Sequence, residues 1–110
     1  MVLIIRFQGN KKAVQELLER GADIESRDSS GNTPLLLALH NNQYNIAQLL
    51  VDYNANVNNS DSNNNSPLVL ACTHNYFDIA ERLIQIGADV NVISSSGIFF
   101  PPFFILINFF

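Results

Sequence analysis

The sequence predicts an all-α solenoid of stacked helix-turn-helix repeats with projecting β-turn loops, and three observations carry that expectation. Residues 28–60 and 61–93 align without a gap, which sets a period of 33 residues. Each copy opens a helix with a hydroxyl residue, a proline and a leucine: Thr33-Pro34-Leu35 in the first, Ser66-Pro67-Leu68 in the second. Each copy then ends its second apolar stretch on Asn54 or Gly87, residues that tolerate left-handed backbone at a helix end.

The chain begins inside an earlier unit. One period before the first full copy, Leu17-Leu18 and Gly21-Ala22-Asp23-Ile24 fall on the same template, and Met1 stands where that unit's proline would be. A partial N-terminal repeat is therefore expected over 1–27, followed by full repeats over 28–60 and 61–93. Within a full copy the first helix carries Leu35, Leu36, Ala38 and Leu39, or Leu68, Val69, Ala71 and Cys72, at helical spacing. The small alanine at its centre lets a neighbouring helix come close. Asn42 or Asn75 suits the tight turn that follows. Asp78 and Glu81 have capping-box spacing for a second helix bearing Ile79, Ala80, Leu83 and Ile84.

These residues resemble the ankyrin repeat, which reads D-x-x-G-x-T-P-L at the turn and first helix, then I-A-x-x-L-L, then G-A-D-V-N at the exit. The resemblance runs over residues 7–97. This chain departs from the pattern at Asn54, Asn56, Asn64 and Ser66. Leu36 and Val69 replace a histidine that the family uses to hydrogen-bond its turn, so some local stability is expected to be missing. The resemblance implies a concave face, built from the loops and first helices, that binds other proteins without chemistry. Carried over position by position, the contact candidates are Ser29, Ser30, Asn32, His40, Asn41 and Tyr53 in the first full copy. The second copy supplies Ser62, Asn63, Asn65, Thr73, His74 and Ile86. That surface is polar and nearly uncharged, with Tyr53 as its one exposed aromatic, and it lacks the Trp and Arg anchors that dominate many interfaces.

Composition narrows the partner and excludes other classes. Six basic residues against ten acidic ones give a net charge of −4, and no basic run exceeds the pair Lys11-Lys12, so nucleic acid is not an expected partner. The lone Cys72 excludes an internal disulfide and a cysteine-rich zinc site, and points to a reducing, cytoplasmic setting. His40 and His74 lie 34 residues apart with no ligand at metal spacing, and are expected in structural or surface roles. Carboxylate pairs such as Glu16 with Glu19 sit by helix ends, and no phosphate loop, nucleophile elbow or zinc-protease motif occurs. No catalytic residue, cofactor, metal or small-molecule substrate is expected. The Asn-rich stretch from Asn54 to Asn65 reads as turn chemistry, because the repeat register runs through it.

Residues 94–110 read as an aborted repeat start and a Phe-rich apolar tail, since Phe99, Phe100 and Pro101 stand where Thr-Pro-Leu should be. Six of the eight phenylalanines lie there, yet residues 98–110, 13 in number and apolar but for Asn108, fall short of a membrane span, which needs roughly 20. Membrane association is not expected, apart from the weaker reading that this tail docks on a bilayer surface. The leading expectation is a non-enzymatic module that holds a protein partner. The alternative is a degenerate or truncated remnant, a fragment of a longer array, with no independent activity; stacked repeats need about three neighbours to bury a continuous core.

Overall fold

The computed structural model describes residues 10–90, together with the backbone of 92–93 and 99–100. Five helices follow in order: α1 Lys11–Glu19, α2 Pro34–His40, α3 Tyr44–Asp52, α4 Pro67–Thr73 and α5 Phe77–Gln85. The pairs α2/α3 and α4/α5 are antiparallel hairpins, α2 packs on α4, and α1 packs on α3. Two rows result, with the first helices α2 and α4 in one and the second helices α1, α3 and α5 in the other. The start residues of α4 and α5 fall 33 positions after those of α2 and α3.

Helix starts follow the capping chemistry of the sequence. Thr33 and Ser66 are extended, buried residues whose hydroxyl oxygens accept from Leu36 N–H and Val69 N–H at 3.3 and 3.2 Å. Proline fills the next position, where no intrahelical donor is needed. With no solvent to replace the lost bond, Thr33→Ala should lower stability by about 1 kcal/mol, checked by urea unfolding. Thr33→Ser, which keeps the acceptor, should fall well short of that loss.

The second helices start differently from expectation. Asp78 and Glu81 form no capping box: α5 begins at Phe77, its N-cap is Tyr76 with no side-chain cap bond, and Asp78 lies inside the first turn. There its charge still favours the positive end of the helix dipole. The turn Asn41-Asn42-Gln43 and its copy His74-Asn75-Tyr76 set the start instead, with Asn42 and Asn75 at φ of 58° and 62°. Gln43 and Tyr76 N–H groups then donate back to Ala38 and Ala71 carbonyls at 2.8 Å.

Helix exits are left-handed at Gly21, Asn54 and Gly87, with φ of 87°, 64° and 105°. The following residues Ala22, Ala55 and Ala88 donate to Leu17, Leu50 and Leu83 carbonyls, and the preceding bond from the left-handed residue completes a Schellman-type closure.

The core lies between the rows. Leu36, Ala38, Leu39, Ala47, Leu50, Ala71, Ala80 and Leu83 are all fully enclosed, and Leu35, Leu68 and Ile79 nearly so. Ala38 and Ala71 have no side chain beyond Cβ, which permits the close approach of α2 to α4. Cys72 is buried, and burial pushes its thiol up to about 11, so it packs as a small apolar group. Beyond the helices, β1 Val92–Ile93 pairs antiparallel with β2 Phe99–Phe100, Val92 opposite Phe100. Gly97 and residues 101–110, with the readings made of them, lie outside the described residues, as do Met1 and Arg6.

Candidate functional site

Two small hairpins project ahead of the first helices, and each is wound around one carboxylate. Asp28 Oδ1 accepts from Ser30 N–H and Asn32 N–H, both at 2.9 Å, while its backbone exchanges bonds with Gly31 and Asn32. Asp61 repeats this with Asn63 N–H at 2.8 Å and Asn65 N–H at 3.0 Å. The side-chain amides of Asn32 and Asn65 donate to the second carboxylate oxygens. Asp61 alone gains a further donor, His40 Nε2 from the preceding helix, at 3.1 Å. Because a carboxylate only accepts, that ring nitrogen carries a hydrogen. Desolvation opposes ionisation of Asp61, but the bonds from Asn65 N–H, His40, the Asn65 amide and Asn63 N–H outweigh it and hold the carboxyl below its ordinary value.

The hairpins are also fixed to each other. Ser62 N–H donates to Ser30 carbonyl at 3.3 Å, and Arg27 Nη1 donates to the carbonyls of Gly31 and Ser60, both at 2.9 Å. Gly31, at φ 78°, sits so close that an added Cβ would lie 3.3 Å from Ser62 N. Asn64 takes the matching place at φ 63°. The Leu36 and Val69 side chains are buried, and the turns are held by the Asp28 and Asp61 carboxylates and by Arg27.

The predicted contact residues occupy three settings. Ser29, Ser30, Ser62 and Asn63 are exposed at the hairpin tips, and Asn41 and Thr73 are exposed where the first helices end. Asn32, Asn65 and His40 are half-buried and committed to Asp28 or Asp61; His74 stacks on Tyr76 at 5.8 Å. Tyr53 and Ile86 cap the second helices α3 and α5, in the other row. Tyr53 is not the exposed aromatic that the sequence led us to expect: it is half-buried against the core, with its hydroxyl donating to Glu19 at 3.3 Å. Among the described residues Phe77 is the aromatic that reaches solvent, at 38% exposure, and Ile86 is 50% exposed. Aligning Phe77 with Tyr44, one period earlier, would have shown that both copies place a ring at the start of the second helix.

Among the described residues no group of three His, Cys, Asp or Glu side chains gathers at metal-ligand spacing, and no helix is long and apolar enough to cross a membrane. The arrangement offers rigid, exposed loops on a stacked helical frame, the construction of a repeat scaffold. The family model described as "Ankyrin repeats (3 copies)" matches residues 1–94, and the chain belongs to the ankyrin repeat family. It is also similar to the B-cell lymphoma 3 protein homolog of Mus musculus, another ankyrin repeat protein, being 54% identical over 43 residues. That stretch is 38% of this chain and 10% of the mouse protein. Ankyrin repeats are generally non-enzymatic protein-interaction modules.

Proposed function

We propose that this chain holds a protein partner on the face formed by its hairpin tips and first helices, with 28–60 and 61–93 as the contributing repeats and a reducing compartment as its setting. The observation that supports this most directly is the coupling of the two hairpins through Ser62 N–H to Ser30 carbonyl and through Arg27. Ser29, Ser30, Ser62 and Asn63 are held in advance of binding, which limits the ordering entropy that association would otherwise cost. Asn41 and Thr73 extend the same polar surface along the first helices. His40, Asn32 and Asn65 serve it by stiffening the hairpins.

Site-specific photocrosslinking tests the assignment. A crosslinker at Asn63 should give a discrete protein adduct in cells, whereas one at Asn45, exposed on α3, should not. Equal adducts from both positions, or none from Asn63, would defeat the proposed face. Replacing Ser29, Ser62 and Asn63 together should weaken the adduct-forming interaction at least tenfold while leaving the melting temperature within about 2 °C, because substitutions at exposed sites away from caps and networks usually change stability little.

A further inference from the structure

The geometry points to a second recognition site, distinct from the hairpin tips, that takes a cationic side chain, the guanidinium or ammonium of an arginine or lysine in a protein segment. It lies where first helices end and second helices begin. Tyr44, Asn75, Tyr76, Phe77 and Asp78 line a shallow recess there of about 260 Å³. Tyr44 comes from the first full repeat and the others from the second, so the recess exists only when the two are stacked.

Its walls are aromatic and already ordered. Tyr44 and Tyr76 meet edge to face, with centroids 5.5 Å apart. The Tyr76 hydroxyl donates to Asn42 Oδ1 at 2.8 Å, and the Tyr44 hydroxyl accepts from Gln48 Nε2 at 3.1 Å, so both rings are pinned at their far ends. His74 backs Tyr76 in a stacked contact. Phe77 adds a partly exposed ring at the rim. Aromatic faces attract cations within about 6 Å, and rings that need no reordering retain more of that attraction.

Charge selects the same class of ligand. Asp78 is exposed beside the rings, and no basic residue lines the recess. The equivalent position one period earlier is Asn45, and two periods earlier Lys12, which lines a different recess on α1. Elsewhere, Arg20 and Arg82 are paired with Glu16 and Asp52, and Arg27 is held on carbonyls. An anion would meet Asp78 without a counter-charge, and a neutral apolar side chain would leave it unused. A cation meets both the rings and the carboxylate.

The test uses the full chain and a short Arg-Gly peptide, with the same peptide carrying glutamine for arginine as control. With three tyrosines and no tryptophan, ring signals of Tyr44, Tyr76 and Phe77 in proton NMR report directly on the recess. Saturable shifts in those rings are expected with the arginine peptide, weaker with the glutamine peptide, and diminished by added salt. Asp78→Asn and Phe77→Ala should each weaken binding roughly three- to tenfold. Asp78→Asn removes only charge at an exposed site, so it keeps the test valid should Phe77→Ala disturb packing. Shifts confined to the hairpin residues, equal response to both peptides, or unchanged affinity in Asp78→Asn would each overturn the proposal.

Discussion

Leu50→Ala is expected to lower the thermal midpoint by more than about 10 °C, read by far-ultraviolet circular dichroism. Leu50, on α3, is fully enclosed, and its carbonyl also closes the α3 exit through Ala55 N–H. Truncating a buried leucine removes its transfer free energy and leaves a cavity, together about 2–5 kcal/mol. Domains of this size have only about 5–15 kcal/mol in total, and each kcal/mol moves the midpoint by about 4–8 °C. Asn45→Ala, at an exposed site on the same helix, should stay within about 0.5 kcal/mol of the parent. If Leu50→Ala melted with the parent, the packing between the rows would not be what stabilises the chain. If neither form showed a cooperative transition, the reading of a remnant without independent activity would replace that of a self-sufficient module.

Asp61→Ala should be the most damaging polar substitution, at about 2–3 kcal/mol, because it orphans two backbone N–H groups, the Asn65 amide and His40 together. Asp28→Ala should cost less, since Asp28 is half-buried and receives no histidine. The pH dependence has a definite sign. The folded carboxyl titrates below its ordinary value, so the unfolded chain binds the proton first as pH falls. The contribution is full above about pH 4–5, the upper end of ordinary aspartate titration, and is lost as pH drops through the depressed folded value. Asp61→Asn should flatten the acid limb of a plot of urea midpoint against pH between about pH 5 and 3. An unaltered limb would mean that other carboxylates dominate acid unfolding.

Much of this architecture was legible because it is local and periodic. The caps at Thr33 and Ser66, and the left-handed turns at Asn42, Asn75 and Asn54, each rest on residues within a few positions of one another. What escaped reading crosses from one repeat to the next. The bonds of Asn56 N–H and Asn59 Nδ2 to Glu25 span 31 and 34 residues, and the aromatic recess joins Tyr44 to Tyr76. No local pattern marks such pairs. Tyr53 looked exposed because a helix-end position gives no sign of which way its ring leans; here it leans onto the core. Asp78 looked like a cap because spacing alone cannot fix which residue is the first of a helix.

The joints between repeats follow a common design. Glu25 accepts from Asn56 N–H, and one period later Asn58 accepts from Asp89 N–H, at 2.7 and 2.9 Å. A carboxylate in one joint and an amide in the next reach the same point on the following copy's main chain. Asn58 also donates to Gly87 carbonyl, and Arg27 to those of Gly31 and Ser60. These fasteners grip main chain, which every copy possesses, while His40 to Asp61, Tyr53 to Glu19 and Tyr76 to Asn42 join particular side chains across the same joints. A unit duplicated into such a stack would find its attachment points already waiting, so the array can lengthen by copying and diverge afterwards.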